Sequence, residues 1–112
     1  MMVNISSIYP VKEGYIFDFD YYLNNHMPKS IALLSGANGY RGVSVERGIG
    51  IENLNIISSY VAMCHYYFDT FEDFLKAFTP NADWLQGDIK NYTNIQPMIQ
   101  INEVEISAPP CP

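Results

Sequence analysis

Charge is scarce in this chain, and positive charge scarcest. Six Lys and Arg stand against twelve Asp and Glu among 112 residues, for a formal net charge of −6. The six are scattered rather than clustered. Nucleic acid and anionic membrane surfaces are therefore excluded as partners, since phosphate binding needs grouped Lys and Arg. Cysteine is nearly absent: Cys64 falls in an expected strand and Cys111 in the tail. That pattern is no disulfide framework, and the two read as a buried and an exposed thiol. Histidine is as rare, with His26 and His65 far apart and no Cys or carboxylate cluster at ligand spacing. No metal site is expected. No apolar run reaches membrane-spanning length, and no basic-then-apolar leader opens the sequence. A cytoplasmic protein is the expectation.

What the chain has is aromatic. Nine Tyr and six Phe accompany a hydrophobic content of 48%. Buried tyrosines need polar partners for their hydroxyls, so this composition suits an apolar pocket with hydrogen-bonding tips. The length suits a single domain, residues 1–112, with residues 107–112 as a loose tail.

The stretch from Phe17 to Pro28 organises the rest. Asp18 is a good N-cap. Phe19, Leu23, Met27, Ile31 and Leu34 follow at helical spacing and predict one apolar face. Pro28 lacks an N–H and crowds the Asn24 carbonyl, which predicts a kink or break between His26 and Pro28. Tyr22 lies one turn before His26, close enough to fix its tautomer by a hydrogen bond.

Strands are predicted over Met2 to Tyr9, Tyr40 to Gly48, Tyr60 to Phe68 and Ile95 to Ile106. Five glycines lie between 36 and 50, but no Lys-Ser or Lys-Thr follows, so turns rather than a phosphate loop are expected. Glu52 to Ser59 reads as a polar, mobile loop. Thr70 caps a second helix whose stripe is Phe71, Phe74, Leu75 and Phe78. A short third helix carries Ala82, Leu85 and Ile89, and Asn91 to Asn94 is a turn.

Strand, helix, strand, strand, helix, short helix, strand is the order of an α+β ferredoxin-like fold, a four-stranded antiparallel sheet with helices on one face. The other sheet face would expose Val61, Met63 and Tyr67. A second copy packed sheet to sheet, as a dimeric α+β barrel, is the economical cover.

Phe17 to Pro28, Asp69 to Phe74, Asp88 to Thr93 and the strand from Pro97 to Val104 together resemble the EthD family, in order and over nearly the whole chain. The resemblance implies a ferredoxin-like subunit in a dimeric barrel. It leaves function divided. The family takes its name from a protein required beside a cytochrome P450 system that degrades a fuel ether. Relatives act as dehydratases or decarboxylases on aromatic polyketides, and the wider superfamily includes cofactor-free oxygenases, cyclases, lactone isomerases and haem enzymes.

Two functions follow. One is a cofactor-independent lyase, isomerase or oxygenase acting on a small aromatic or cyclic carbonyl compound. The other is a non-catalytic carrier or accessory protein assisting an oxygenase in degradation of such a compound. In the first, His26 is the acid or base, with Tyr22 orienting it or relaying a proton. Tyr9 and Tyr66 face the same cavity, and Asn91 and Tyr92 hold a ligand carbonyl or hydroxyl. Against these stand plainer roles. His26 could bond a carbonyl freed by Pro28, Asn91 could end the short helix, and strand tyrosines are commonly core. His65 is expected at the dimer interface. No cofactor is assigned, although one histidine would suffice as an axial haem ligand.

Overall fold

The computed structural model describes residues 2–107, so the predicted tail from Ala108 and Cys111 lies outside the described residues. Four strands, β1 (Val3–Pro10), β2 (Tyr40–Arg47), β3 (Tyr60–Phe68) and β4 (Met98–Glu103), form one antiparallel sheet in the order β2-β3-β1-β4. Alternation of side chains divides β3 as predicted. Ala62, Cys64, Tyr66 and Phe68 turn to the helices and are buried, joined across the ladder by Val3, Ile5 and Tyr9. The last strand is shorter than predicted, and Ile99 and Ile101 stand opposite Ser7 and Ile5 on the helix face.

The first helix is continuous through Pro28. Asp18 caps α1 (Phe19–Tyr21) by accepting from the Tyr21 N–H. A π-helical turn, Tyr22–His26, then leads into α2 (Met27–Ser35). Met27 keeps helical angles of −66° and −42°, and its N–H reaches back five residues to the Tyr22 carbonyl. The predicted break is thus replaced by a widened turn. In an ordinary α-turn the proline ring would collide with the carbonyl four residues back, and the extra residue relieves that contact.

The widened turn also changes which face points inward. Tyr22, His26, Met27, Ser30 and Leu34 are buried, whereas Leu23 is 45% exposed. Of the predicted stripe, Met27 and Leu34 are buried and Phe19 and Ile31 pack on the core; Leu23 alone turns outward, because the prediction assumed 3.6 residues per turn throughout.

After Gly39, whose φ of +82° makes the turn into β2, the hairpin tip between β2 and β3 is built rather than loose. Ile51 and Ile56 form a bridge around the 3₁₀ turn Glu52–Leu54, with Asn55 left-handed. Its surface is mixed: the expected polar residues Glu52, Asn53 and Asn55 are exposed, and so are Leu54, Ile56 and Ile57.

Thr70 caps α3 (Phe71–Phe78) through the Asp73 N–H. Phe74 and Ala77 are its buried residues, Phe71 and Phe78 are half-buried, and Leu75 is 40% exposed. A 3₁₀ turn joins it to α4 (Ala82–Gly87), and a further 3₁₀ turn, Ile89–Asn91, precedes Tyr92.

Candidate functional site

The two motifs richest in polar and aromatic residues meet in space. Asp18 donates its N–H to the Tyr92 carbonyl at 2.7 Å, and Thr93 Oγ1 donates to the Ile16 carbonyl at 2.6 Å. Asn94 Oδ1 accepts from the Ile16 N–H at 2.8 Å. The Asn-Tyr-Thr-Asn turn therefore fixes the chain just ahead of the first helix, and with it the direction in which Tyr22 and His26 project.

His26 is the centre of what results. Its ring is stacked between Tyr22, at 5.8 Å and 13°, and Trp84, at 5.4 Å and 15°, and Tyr92 lies 4.7 Å away. Nδ1 is 2.8 Å from Asp88 Oδ2. Asp88 Oδ1 accepts from Tyr21 Oη at 2.8 Å and from Asn91 Nδ2 at 2.9 Å. A carboxylate can only accept, so neutral His26 carries its proton on Nδ1 and leaves the Nε2 lone pair available. Nε2 has no hydrogen-bond partner among the described residues, and it is not sealed from solvent.

Burial holds the His26 pKa below its ordinary value, against the opposing pull of Asp88, so the ring is neutral at neutral pH. Asp88 is held the other way. Its burial favours the neutral acid, but hydrogen bonds from Asn91, His26 and Tyr21 outweigh that and keep it ionised.

Beside this pair a cavity of about 700 Å³ opens between sheet and helices. That is within the range of small-molecule sites, roughly 300–1,000 Å³. Ile5, Ser7, Tyr9, Cys64 and Tyr66 line it from the sheet, and Tyr22, His26, Met27, Ser30 and Leu34 from the first helix. Phe71, Phe74 and Phe78 close one end. Most wall hydroxyls are mutually bonded, Tyr9 to Tyr92 at 2.6 Å and Tyr66 to Ser30 at 2.7 Å. Tyr22 Oη is different. It is the one buried side-chain polar atom among the described residues without a nitrogen or oxygen partner, and only the Cys64 thiol, a weak one, is within its reach. Burial pushes the Cys64 thiol up to about 12 and Tyr9 likewise to about 12, so both stay protonated. The thiol is no nucleophile here.

Of the residues singled out by sequence, His26, Tyr22, Tyr9, Tyr66 and Tyr92 come together around the cavity. Asn91 does not line it; its amide supports Asp88 from an exposed turn. Tyr22 meets His26 by stacking, so the tautomer expected of its hydroxyl is set by Asp88 instead. His65 lies on the opposite sheet face, with Nδ1 2.7 Å from Ser6 Oγ and Nε2 2.9 Å from Glu46 Oε1. Sequence reasoning missed Asp88. Its signal was an acidic residue three positions before Asn91, able to share one helical turn with that amide.

The fold and the site define a ferredoxin-like α+β protein with a ligand-sized cavity between its helices and sheet. No protein-family model and no curated protein sequence matches the chain. Solved structures do. An EthD-like protein from Ralstonia eutropha JMP134 is 36% identical, with 96% of this chain and 95% of that one covered and a TM-score of 0.85. An ethyl tert-butyl ether D (EthD) family protein from Bacillus halodurans C-125 is 26% identical, with 93% and 99% covered and a TM-score of 0.69. The chain belongs to the EthD family. The hydroxynitrile lyase of Passiflora edulis, 12% identical with 96% and 97% covered, shares the fold at a TM-score of 0.67.

Proposed function

We propose that the cavity binds a small hydrophobic, aromatic or cyclic carbonyl compound and that His26 moves a proton on it without a cofactor. One observation carries the reading: an imidazole oriented by a buried carboxylate presents an unpartnered Nε2 beside a ligand-sized cavity. Here one nitrogen is held and the other is spare, the arrangement general base catalysis needs.

In this reading Nε2 takes a proton from the carbon next to the ligand carbonyl. Asp88 stabilises the imidazolium that forms. Tyr22, fully buried and stacked on the imidazole at 5.8 Å, keeps the ring in place as charge forms on it. Returning the proton at another carbon gives isomerisation; delivering it to a departing hydroxyl gives elimination. Tyr9, Tyr66 and Tyr92 shape the walls.

We further infer a homodimer through the second sheet face. Val61 is already buried within one chain, so Met63, His65, Tyr67 and Met98 are the residues that a partner would cover.

The test is a thermal-shift screen of aromatic and cyclic carbonyl compounds, then turnover and affinity of wild type, His26→Ala and Tyr22→Phe on whatever binds. Turnover lost in His26→Ala with binding kept supports the enzyme. Binding without turnover in wild type favours the carrier instead.

A further inference from the structure

The cavity wall reverses the sign of the chain. Acidic residues outnumber basic ones twelve to six, yet among the described residues lining the cavity none is Asp or Glu and two are lysines, Lys12 and Lys90. Both are exposed and so stand at the mouth, and neither takes part in an ion pair among the described residues.

The lysines share one end. The cavity follows β1, from Ile5 to Tyr9, a rise of about 13 Å. At the Val3 end, Phe68 pairs with Val3 and packs on Phe74 at 5.5 Å. At the other end, Tyr9 bonds Tyr92. Lys12 lies three residues past Tyr9, and its Nζ donates to the Asn94 carbonyl, two residues past Tyr92, at 2.9 Å. Lys90 lies two residues before Tyr92. The Lys12 ammonium therefore stands at the tyrosine-pair end, where Lys90 also lines the cavity, and the apolar Phe74 end is on the far side.

We propose that the ligand is a hydrophobic carboxylate, its anionic group held at the mouth by Lys12 and Lys90 and its ring body directed toward Phe74. This rests on the cavity being the ligand site. Lys12 spends one donor on Asn94 and keeps two, and Lys90 keeps all three. At an apolar mouth the two lysines supply positive charge for an anion, set against the one ionised carboxylate nearby, Asp88, whose oxygens are spent on His26, Tyr21 and Asn91. Charge recognition then orients the ligand, placing atoms next to its carboxylate end nearest His26.

The experiment compares 2-naphthoate with methyl 2-naphthoate by titration calorimetry. Wild type should bind the acid about tenfold more tightly than the ester, a preference that shrinks as salt rises. Lys12→Met and Lys90→Gln should each cost the acid about threefold to tenfold, with ester affinity as the folding control. Ile5→Trp, which fills the cavity, should abolish binding of both. Equal affinities, or an acid preference untouched by both lysine variants, would overturn the carboxylate assignment and leave the cavity reading intact. Acid binding that survives Ile5→Trp would also overturn it. Failure of both probes to bind at millimolar concentration would overturn the cavity reading and this one with it.

Discussion

Replacing Tyr22 with phenylalanine should make the ligand-free protein more stable. Tyr22 is fully buried and its ring packs on Tyr9, Phe17, His26 and Tyr92 at 6.0, 5.0, 5.8 and 4.8 Å. Phenylalanine keeps all of those contacts. What it removes is a hydroxyl that has lost water and has only the weak Cys64 thiol to bond. Such a group costs roughly 1–3 kcal/mol. The void left by one oxygen takes back a few tenths of a kcal/mol. A net gain of about 1–2 kcal/mol remains. Unfolding entropy of about 2.1 cal/mol/K per residue, over the 112 residues, makes each kcal/mol worth about 4 °C, so Tm should rise by about 4–9 °C. Tyr9→Phe is the paired control. It strands the Tyr92 hydroxyl, now bonded at 2.6 Å, and should lower Tm by a similar amount. Scanning calorimetry of the three proteins decides the matter. Loss of 1 kcal/mol or more in Tyr22→Phe would refute the reasoning, because the hydroxyl would then have a stronger partner. A stabilised variant that also binds ligand more weakly would show why so costly a group is kept.

Other outcomes follow from the same geometry. Burial lowers the folded pKa of His26 below 6.5, so the unfolded chain takes up its proton first as pH falls. His26 therefore contributes stability above 6.5 that is lost as pH drops toward the folded value, and Asp88, lowered from 3.8, adds a loss only below that. Thermal melts between about pH 8 and 5 should show a smaller acid loss in His26→Gln than in wild type; an equal or larger loss would contradict the shift. Asp88→Asn can donate to Nδ1 and move the ring proton to Nε2, so turnover should fall by roughly 10²-fold or more with binding kept, measured by steady-state kinetics. Gly39→Ala should cost about 1–2 kcal/mol by chemical denaturation, since φ is +82° and the new Cβ would collide with the Asp73 carboxylate. Light scattering at micromolar concentration should give twice the chain mass; a monomer would remove the sheet-face dimer.

The legible parts of this molecule were those governed by one local period. Strand β3 runs over Tyr60–Phe68 as read, because nine residues alternate between two faces, one of them buried against the helices. The caps Asp18 and Thr70 were readable because each uses a short acceptor at a fixed offset. The first helix was legible as a helix but its face only in part. The π-helical turn adds a residue to one turn, which moved Tyr22, His26 and Ser30 inward and Leu23 outward. A wheel at constant pitch has no place for that. The site was half legible for a related reason. His26 and the tyrosines announce themselves by residue type and by the resemblance to EthD. Asp88 is 62 positions from His26, and only the docking of the Asn91–Asn94 turn against residues 14–18 brings the two together. Asn91 was read as touching ligand because an amide in a motif offers both donor and acceptor. Its actual partner, the Asp88 carboxylate, lies three residues back on its own turn.

The account turns on Nε2 of His26 acting as a base toward a bound carbonyl compound. Exchange of the ligand's α-protons in D₂O, followed by NMR for the best ligand from the screen, measures that step without requiring the full reaction. Wild type should accelerate exchange over buffer, and His26→Gln should reduce the accelerated rate by about 10²–10⁴-fold while ligand affinity stays within a few-fold. Exchange at equal rates in the two proteins, both saturated with ligand, would contradict it.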